Sequence, residues 1–218
     1  NISVEELNNK ITKKTKAIMC VHILGLSSDM WAIKRICTER KLILFEDTCE
    51  SLGSRFNNKD LGTFGNYGTY SFYYSHQITS GEGGMVVFND KISYNIGKSL
   101  RSHGWSRGTS FHNEYAKKYK NLNNKFLFIN SGFNLRPTDV QAAIANNQLK
   151  RLNKFKFIRN QNRNKIIASI KNSKNWKNQF NFINPKKNIS PSWFGLPILL
   201  NEKYKNKLKK FLKFLDFN

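Results

Sequence analysis

Between residues 15 and 47 two short apolar runs bracket one amphipathic segment, and that order narrows the choice of fold at once. TKAIMCVHILG (15–25) is nearly continuous in apolar side chains and closes on glycine, the pattern of a strand buried on both faces. SSDMWAIKRICTERKL follows, with Ser28 placed to cap a helix and Met30, Ile33 and Ile36 at helical spacing. LILFED then reads as a second buried strand. Strand, helix and strand with short joins form a right-handed crossover unit of a parallel sheet, so the fold class is α/β. Ligands of such sheets meet the carboxyl ends of the strands, and LILFED ends there on Glu46 and Asp47.

Beyond a loop rich in glycine and asparagine, TYSFYY and GMVVFN read as strands around SHQITSGEG. KISYNIGKSLRSHG predicts a helix with glycine past its end. RPTDVQAAIANNQLKRL predicts another, with Pro137 at an early helical position and Ala142, Ala143 and Leu149 on its apolar side. From about residue 154 the chain turns polar and basic until PSWFGLPILL, which gives domains at 1–153 and 154–218. The three cysteines contain no CxxC pair, so free thiols are expected, with neither a disulfide framework nor a metal site. No stretch has the apolar length of a membrane span, and no signal pattern opens the chain, which together predict a cytoplasmic protein without membrane contact.

Five motifs in this order carry more information than any one alone. VHILG, EDTCESLGS, GTFGNYGTYSFYYSHQITSGEGGMVVFND, LRSHGW and SGFNLRPTDVQAAIANNQLKRL resemble the DegT/DnrJ/StrS-type family of sugar aminotransferases, over nearly all of residues 1–165. The resemblance implies part of the large domain of a fold-type I pyridoxal-phosphate transferase, a mainly parallel sheet flanked by helices, followed by the start of a small α+β C-terminal domain. It also implies that the chain is a fragment, opening on what looks like the middle of that large domain. Asp47 matches the acid that keeps the pyridine nitrogen of the cofactor protonated, so that the ring drains electrons from a carbanion. Glu50 matches a residue touching the cofactor region, with capping of the next helix as the lesser alternative. Ser71 matches a serine on the cofactor phosphate, and Asn134 an asparagine that reaches the same phosphate from a partner subunit, which implies a homodimer.

His76 departs from the aminotransferase pattern. Its position matches the lysine that bonds the cofactor covalently and moves protons, and imidazole cannot make that bond. Imidazole is a general base near neutral pH, which suits proton abstraction from a carbon next to the cofactor. Histidine here resembles the family's sugar 3-dehydratases, which use unattached pyridoxamine phosphate to remove a hydroxyl from a 4-keto nucleotide sugar. The closely spaced cysteines of the iron–sulfur group are missing, whereas RSHGWSR and PSWFGLPI look like the iron-free group. The implied reaction is 3-dehydration of a nucleotide-linked 4-keto-6-deoxy sugar for surface polysaccharide, with glutamate as amino donor and pyridoxal or pyridoxamine 5'-phosphate as cofactor.

An aminotransferase of the same family is the nearest alternative. A reading of another class comes from charge: 37 Lys and Arg against 14 Asp and Glu give +23, as expected of a noncatalytic module for anionic polymers. The basic residues are spread among Asn, Ile and Phe, as in IRNQNRNKII, and form no patch, so nucleic acid is not the expected partner. In NEKYKNKLKKFLKFLDFN, Leu208, Phe211, Leu212 and Leu215 fall on one side of an amphipathic helix.

Overall fold

The structure, a computed structural model, describes residues 1–216, so the last two residues of the expected second domain, 217 and 218, lie outside it. A short helix α1 (Val4–Lys10) precedes β1 (Ala17–Val21), helix α2 (Met30–Glu39) and β2 (Ile43–Asp47). The hairpin β3 (Arg55–Phe56) and β4 (Lys59–Asp60) leads to β5 (Tyr67–Ser71) and β6 (Gly84–Phe88). Helices α3 (Lys91–Leu100), α4 (His112–Lys118), α5 (Asp139–Leu149) and α6 (Leu152–Asn172) follow. The chain closes with β7 (Phe180–Phe182), β8 (Ile189–Ser190), β9 (Ile198–Leu200) and α7 (Leu208–Asp216).

The main sheet has the order β1-β2-β5-β6, parallel from β1 through β5 and antiparallel only at β6. The expected crossover and the α/β class are therefore both present. One face of this sheet packs on α2: Ile18, Cys20 and Leu44 meet Met30, Ile33 and Cys37 in a core that Phe56, Leu61 and Phe64 complete. Burying such side chains contributes about 1.5–3 kcal/mol each.

The other face differs from expectation. Along β1 burial alternates, with Ile18 and Cys20 inside and Met19 61% exposed, so this strand is not buried on both faces. The apolar run is real, but burial on both sides needs a second layer. Among the described residues α3 covers only the far side of this face, where Gly97 sits against the Phe88 ring and Tyr67 Oη lies 3.2 Å from Ser93 Oγ.

Two helix starts also differ. Helix α2 is capped by Asp29, whose carboxylate accepts the Ala32 N–H at 3.1 Å, while the neighbouring Ser28 is buried. Helix α5 begins after a Thr138–Gln141 capping box, which leaves Pro137 before the cap instead of inside the first turn. Its Ala142, Ala143 and Leu149 lie exposed. Helix α6 begins at the expected domain boundary and runs through it, docking on the loop before β3 where Lys156 Nζ donates to Gly53 O at 2.8 Å. Beyond it β7 pairs with β9, and Phe211 of α7 packs on Phe180 with ring centroids 5.4 Å apart.

Candidate functional site

The two acids at the end of β2 go to opposite faces because side chains alternate along a strand. Glu46 points inward and is 1% exposed. The backbone N–H groups of Gly62, Phe64 and Gly65 donate to its carboxylate at 2.8, 2.6 and 2.7 Å, and His22 Nε2 lies 3.1 Å from Oε2. Burial pushes the Glu46 carboxyl up, but the hydrogen bonds from His22, Gly65 and Gly62 outweigh it and hold the group below its usual range. Glu46 therefore organises the glycine-rich loop that returns the chain into β5, and it is removed from any ligand. Gly68 belongs to the same arrangement: a Cβ there would collide with the carbonyl of Gly62.

Asp47 points to the open face. Its Oδ1 accepts the Cys49 N–H at 3.0 Å, which fixes the carboxylate at the strand's carboxyl end. The register pairs Asp47 with Thr69 of β5, and Ser71 follows two residues later on the same face. The parallel pair β2 and β5 thus presents a carboxylate and the Thr69 and Ser71 hydroxyls in one row, beside an apolar floor of Val21 and Met19 on β1. Ser71 Oγ accepts the Tyr73 N–H at 3.3 Å, which starts the turn that carries His76. Cys49 stands next to Asp47, and burial, with the Asp47 carboxylate close by, pushes its thiol up to about 11, so it is no nucleophile near neutral pH.

His76 lies beyond β5 in a turn closed by its own N–H donating to Tyr73 O at 3.1 Å. Its ring sits between two aromatic rings, Tyr73 at 5.9 Å and Phe194 at 5.2 Å. Nδ1 is buried without a partner among the described residues. A cavity of about 280 Å³ adjoins the ring, lined by Tyr74, Gln77, Gln148 and Arg159 among others. The larger hollow, of about 680 Å³, lies between Ile23–Asp29 and Ile183–Ile189 and includes none of the five predicted site residues.

Glu50 is tied into the same edge. Its carboxylate accepts the Leu24 N–H at 2.7 Å, bracing the loop after β1 where Leu24 takes a left-handed conformation. Its carbonyl accepts from Gln77 Nε2, which joins the Glu50 loop to the His76 turn. Four of the five predicted residues, Asp47, Glu50, Ser71 and His76, therefore gather at the carboxyl edge of β2 and β5. Asn134 stands apart: it is exposed and forms an isolated bridge with Ser102 near the end of α3. Sequence reasoning missed His22, Gln77 and Phe194; all three stand in quoted motifs, but no spacing marks the contacts of Gln77 with Ser192 and of Phe194 with His76 across more than a hundred residues.

Comparison with known proteins shows the family of the chain. The family model described as the DegT/DnrJ/EryC1/StrS aminotransferase family matches residues 1–217. A GDP-4-keto-6-deoxy-D-mannose 3-dehydratase of Escherichia coli O55:H7 is 36% identical over 204 residues, covering 93% of this chain and 51% of that protein. A GDP-perosamine synthase of Escherichia coli O157:H7 is 40% identical over 154 residues, covering 71% of this chain and 38% of the other. Among solved structures, the E. coli GDP-4-keto-6-deoxy-D-mannose-3-dehydratase with bound hydrated PLP superposes with a TM-score of 0.85 at 33% identity, over 99% of this chain and 55% of that one. The chain spans about half the length of the curated 3-dehydratase relative it matches. The α/β large-domain fold is shared with these proteins.

Proposed function

Because this chain belongs to the DegT/DnrJ/EryC1/StrS aminotransferase family, we propose that it carries the catalytic half of a pyridoxamine-phosphate-dependent 3-dehydratase acting on a nucleotide-linked 4-keto-6-deoxy sugar. The observation that carries the reading is His76 at the position which the family resemblance gives to a cofactor-bonding lysine, held at the same edge as Asp47 and Ser71. When bound, the cofactor supplies an electron-withdrawing pyridine ring and an amine for the sugar ketone. The residues present fit such a group: one carboxylate, two hydroxyls and an apolar floor share one strand edge, with the His76 turn following β5.

In this reading the Asp47 carboxylate holds the proton on the pyridine nitrogen, and the Ser71 hydroxyl donates to the phosphate. The His76 imidazole would serve as the general base beside a cofactor so held. Exposed Asn134 is available to the phosphate of a partner subunit in a homodimer, and Glu50 borders the ring from the loop it braces. Glutamate serves as amino donor, the setting is cytoplasmic, and the product enters surface polysaccharide. The domain division at 153/154 belongs to the same proposal. Identity to GDP-perosamine synthase favours a second reading, an aminotransferase of the same family.

Borohydride separates the two. The cofactor should dialyse away, and borohydride added after unbound cofactor is removed is expected to leave no stoichiometric adduct on any single lysine. A stoichiometric adduct on one lysine would overturn the dehydratase reading and favour the aminotransferase. Asp47→Asn, in a version extended to the full length of its relatives, is expected to lower turnover by about 10²-fold or more. The amide oxygen keeps the Cys49 N–H bond, so the circular dichroism and melting temperature should stay near those of the unmodified protein.

A further inference from the structure

The His76 turn is held by the buried carboxamide of the residue that follows it. Gln77 is 3% exposed, and its Nε2 donates to two carbonyls from distant segments: Glu50 O, and Ser192 O at 3.3 Å. These bonds close a circuit around His76. The Glu50 carboxylate accepts the Leu24 N–H, and the Leu24 carbonyl accepts the Phe194 N–H at 3.2 Å. The Phe194 ring then returns to His76 at 5.2 Å.

The segment carrying Phe194 is itself fixed. Ser192 N–H donates to Ser54 Oγ at 2.8 Å, and that hydroxyl donates to Gly25 O at 2.8 Å. Arg159 Nη1 donates to the carbonyls of Trp193 and Phe194 at 3.0 and 3.2 Å. The Ser192–Phe194 segment is thus anchored independently of Gln77, and so is the Glu50 loop. What Gln77 adds is the attachment of the His76 turn to both of them.

We infer that Gln77 is a positioning residue for His76, its buried carboxamide pinning the turn so that the imidazole is held against Phe194. The inference rests on the proposed role of His76, and it bears on where the ring is held, not on which reaction follows. Donor–acceptor bonds of this kind act through geometry, and a ring displaced by an ångström costs a proton transfer heavily.

The test is NMR of the 218-residue chain with labelled histidine, without cofactor. In the unmodified chain the His76 ring protons should show ring-current shifts and a nuclear Overhauser contact to Phe194. Gln77→Met keeps the side-chain volume and removes the donor; it is expected to lose that contact and to move the His76 shifts towards those of a free histidine. Gln77→Asn keeps the amide but cannot span both carbonyls, and should show the same loss if the Met variant does not fold. A folded variant with lower melting temperature but unchanged His76 shifts and an intact Phe194 contact would overturn the inference, leaving Gln77 a structural residue only. Failure of the cofactor reading would appear elsewhere, as the absence of any His76 shift on adding pyridoxamine phosphate to a version extended to the length of its relatives.

Discussion

His76→Asn, in a version extended to the full length of its relatives, is expected to lower dehydration by about 10²–10⁴-fold, the usual contribution of a positioned general base. The amide fills much of the space between Tyr73 and Phe194 and offers no useful basicity, so cofactor binding measured by absorbance should persist. The loss should appear in kcat more than in KM, because the proton is moved only after the sugar is bound. His76→Lys makes the converse test: the borohydride adduct missing from the unmodified protein should form, and products should move towards transamination. A His76→Asn variant with near-normal turnover would remove the imidazole from the account.

The second large effect is on stability. Glu46→Ala leaves three inward-facing backbone N–H groups, at Gly62, Phe64 and Gly65, without their acceptor and His22 without its partner, all in the protein interior. Breaking a buried pair in this way costs about 3–5 kcal/mol, a large share of a domain's stability. Urea unfolding followed by circular dichroism reads this directly, and a loss under about 1 kcal/mol would show that the loop has other support. The same group sets an acid limit. Its folded-state pKa is depressed by hydrogen bonds that outweigh burial, so its contribution is fully present above the ordinary glutamate range and is lost as the pH falls through the depressed value. The fall of stability with pH below the usual carboxylate range should therefore be shallower in Glu46→Gln.

Much of the fold could be read from local pattern. The apolar runs of β1 and β2, the helix between them and the order of β5, β6 and α3 follow from period and turn residues, which act over a few positions. The place of Glu46 and Asp47 at the carboxyl end of a strand was equally legible, although not which of them faces outward. What could not be read depends on contacts far along the chain. Burial of both faces of β1 was inferred from composition, yet Met19 and Val21 are exposed because nothing among the described residues covers them. Ser28 and Asp29 are both capable caps, and the dihedral angles and burial at the helix entry select Asp29. Glu46 looked like a ligand-facing acid because its donors, the amides of a loop 16–19 residues on, have no side-chain signature. Gln77 was invisible as a staple because Ser192 is 115 residues away in sequence.

The open face beside Asp47 and Ser71 bears on how the site works. Parallel strands are normally covered on both sides, and the relatives have about twice the length of this chain. A cofactor lying on this face would be held by these residues on one side only, so the 218-residue chain should bind pyridoxal phosphate more weakly than a version extended to its relatives' length. Equal affinity would mean that the strand edge alone supplies the binding energy.

The central claim, that imidazole chemistry at His76 makes this protein a dehydratase, is tested most directly by the mass of the product. The extended protein is supplied with a 4-keto-6-deoxy nucleotide sugar, glutamate and pyridoxal phosphate. The account predicts a product that has lost its 3-hydroxyl, with no product in the His76→Asn variant; an amino sugar as the sole product of the unmodified protein would contradict it.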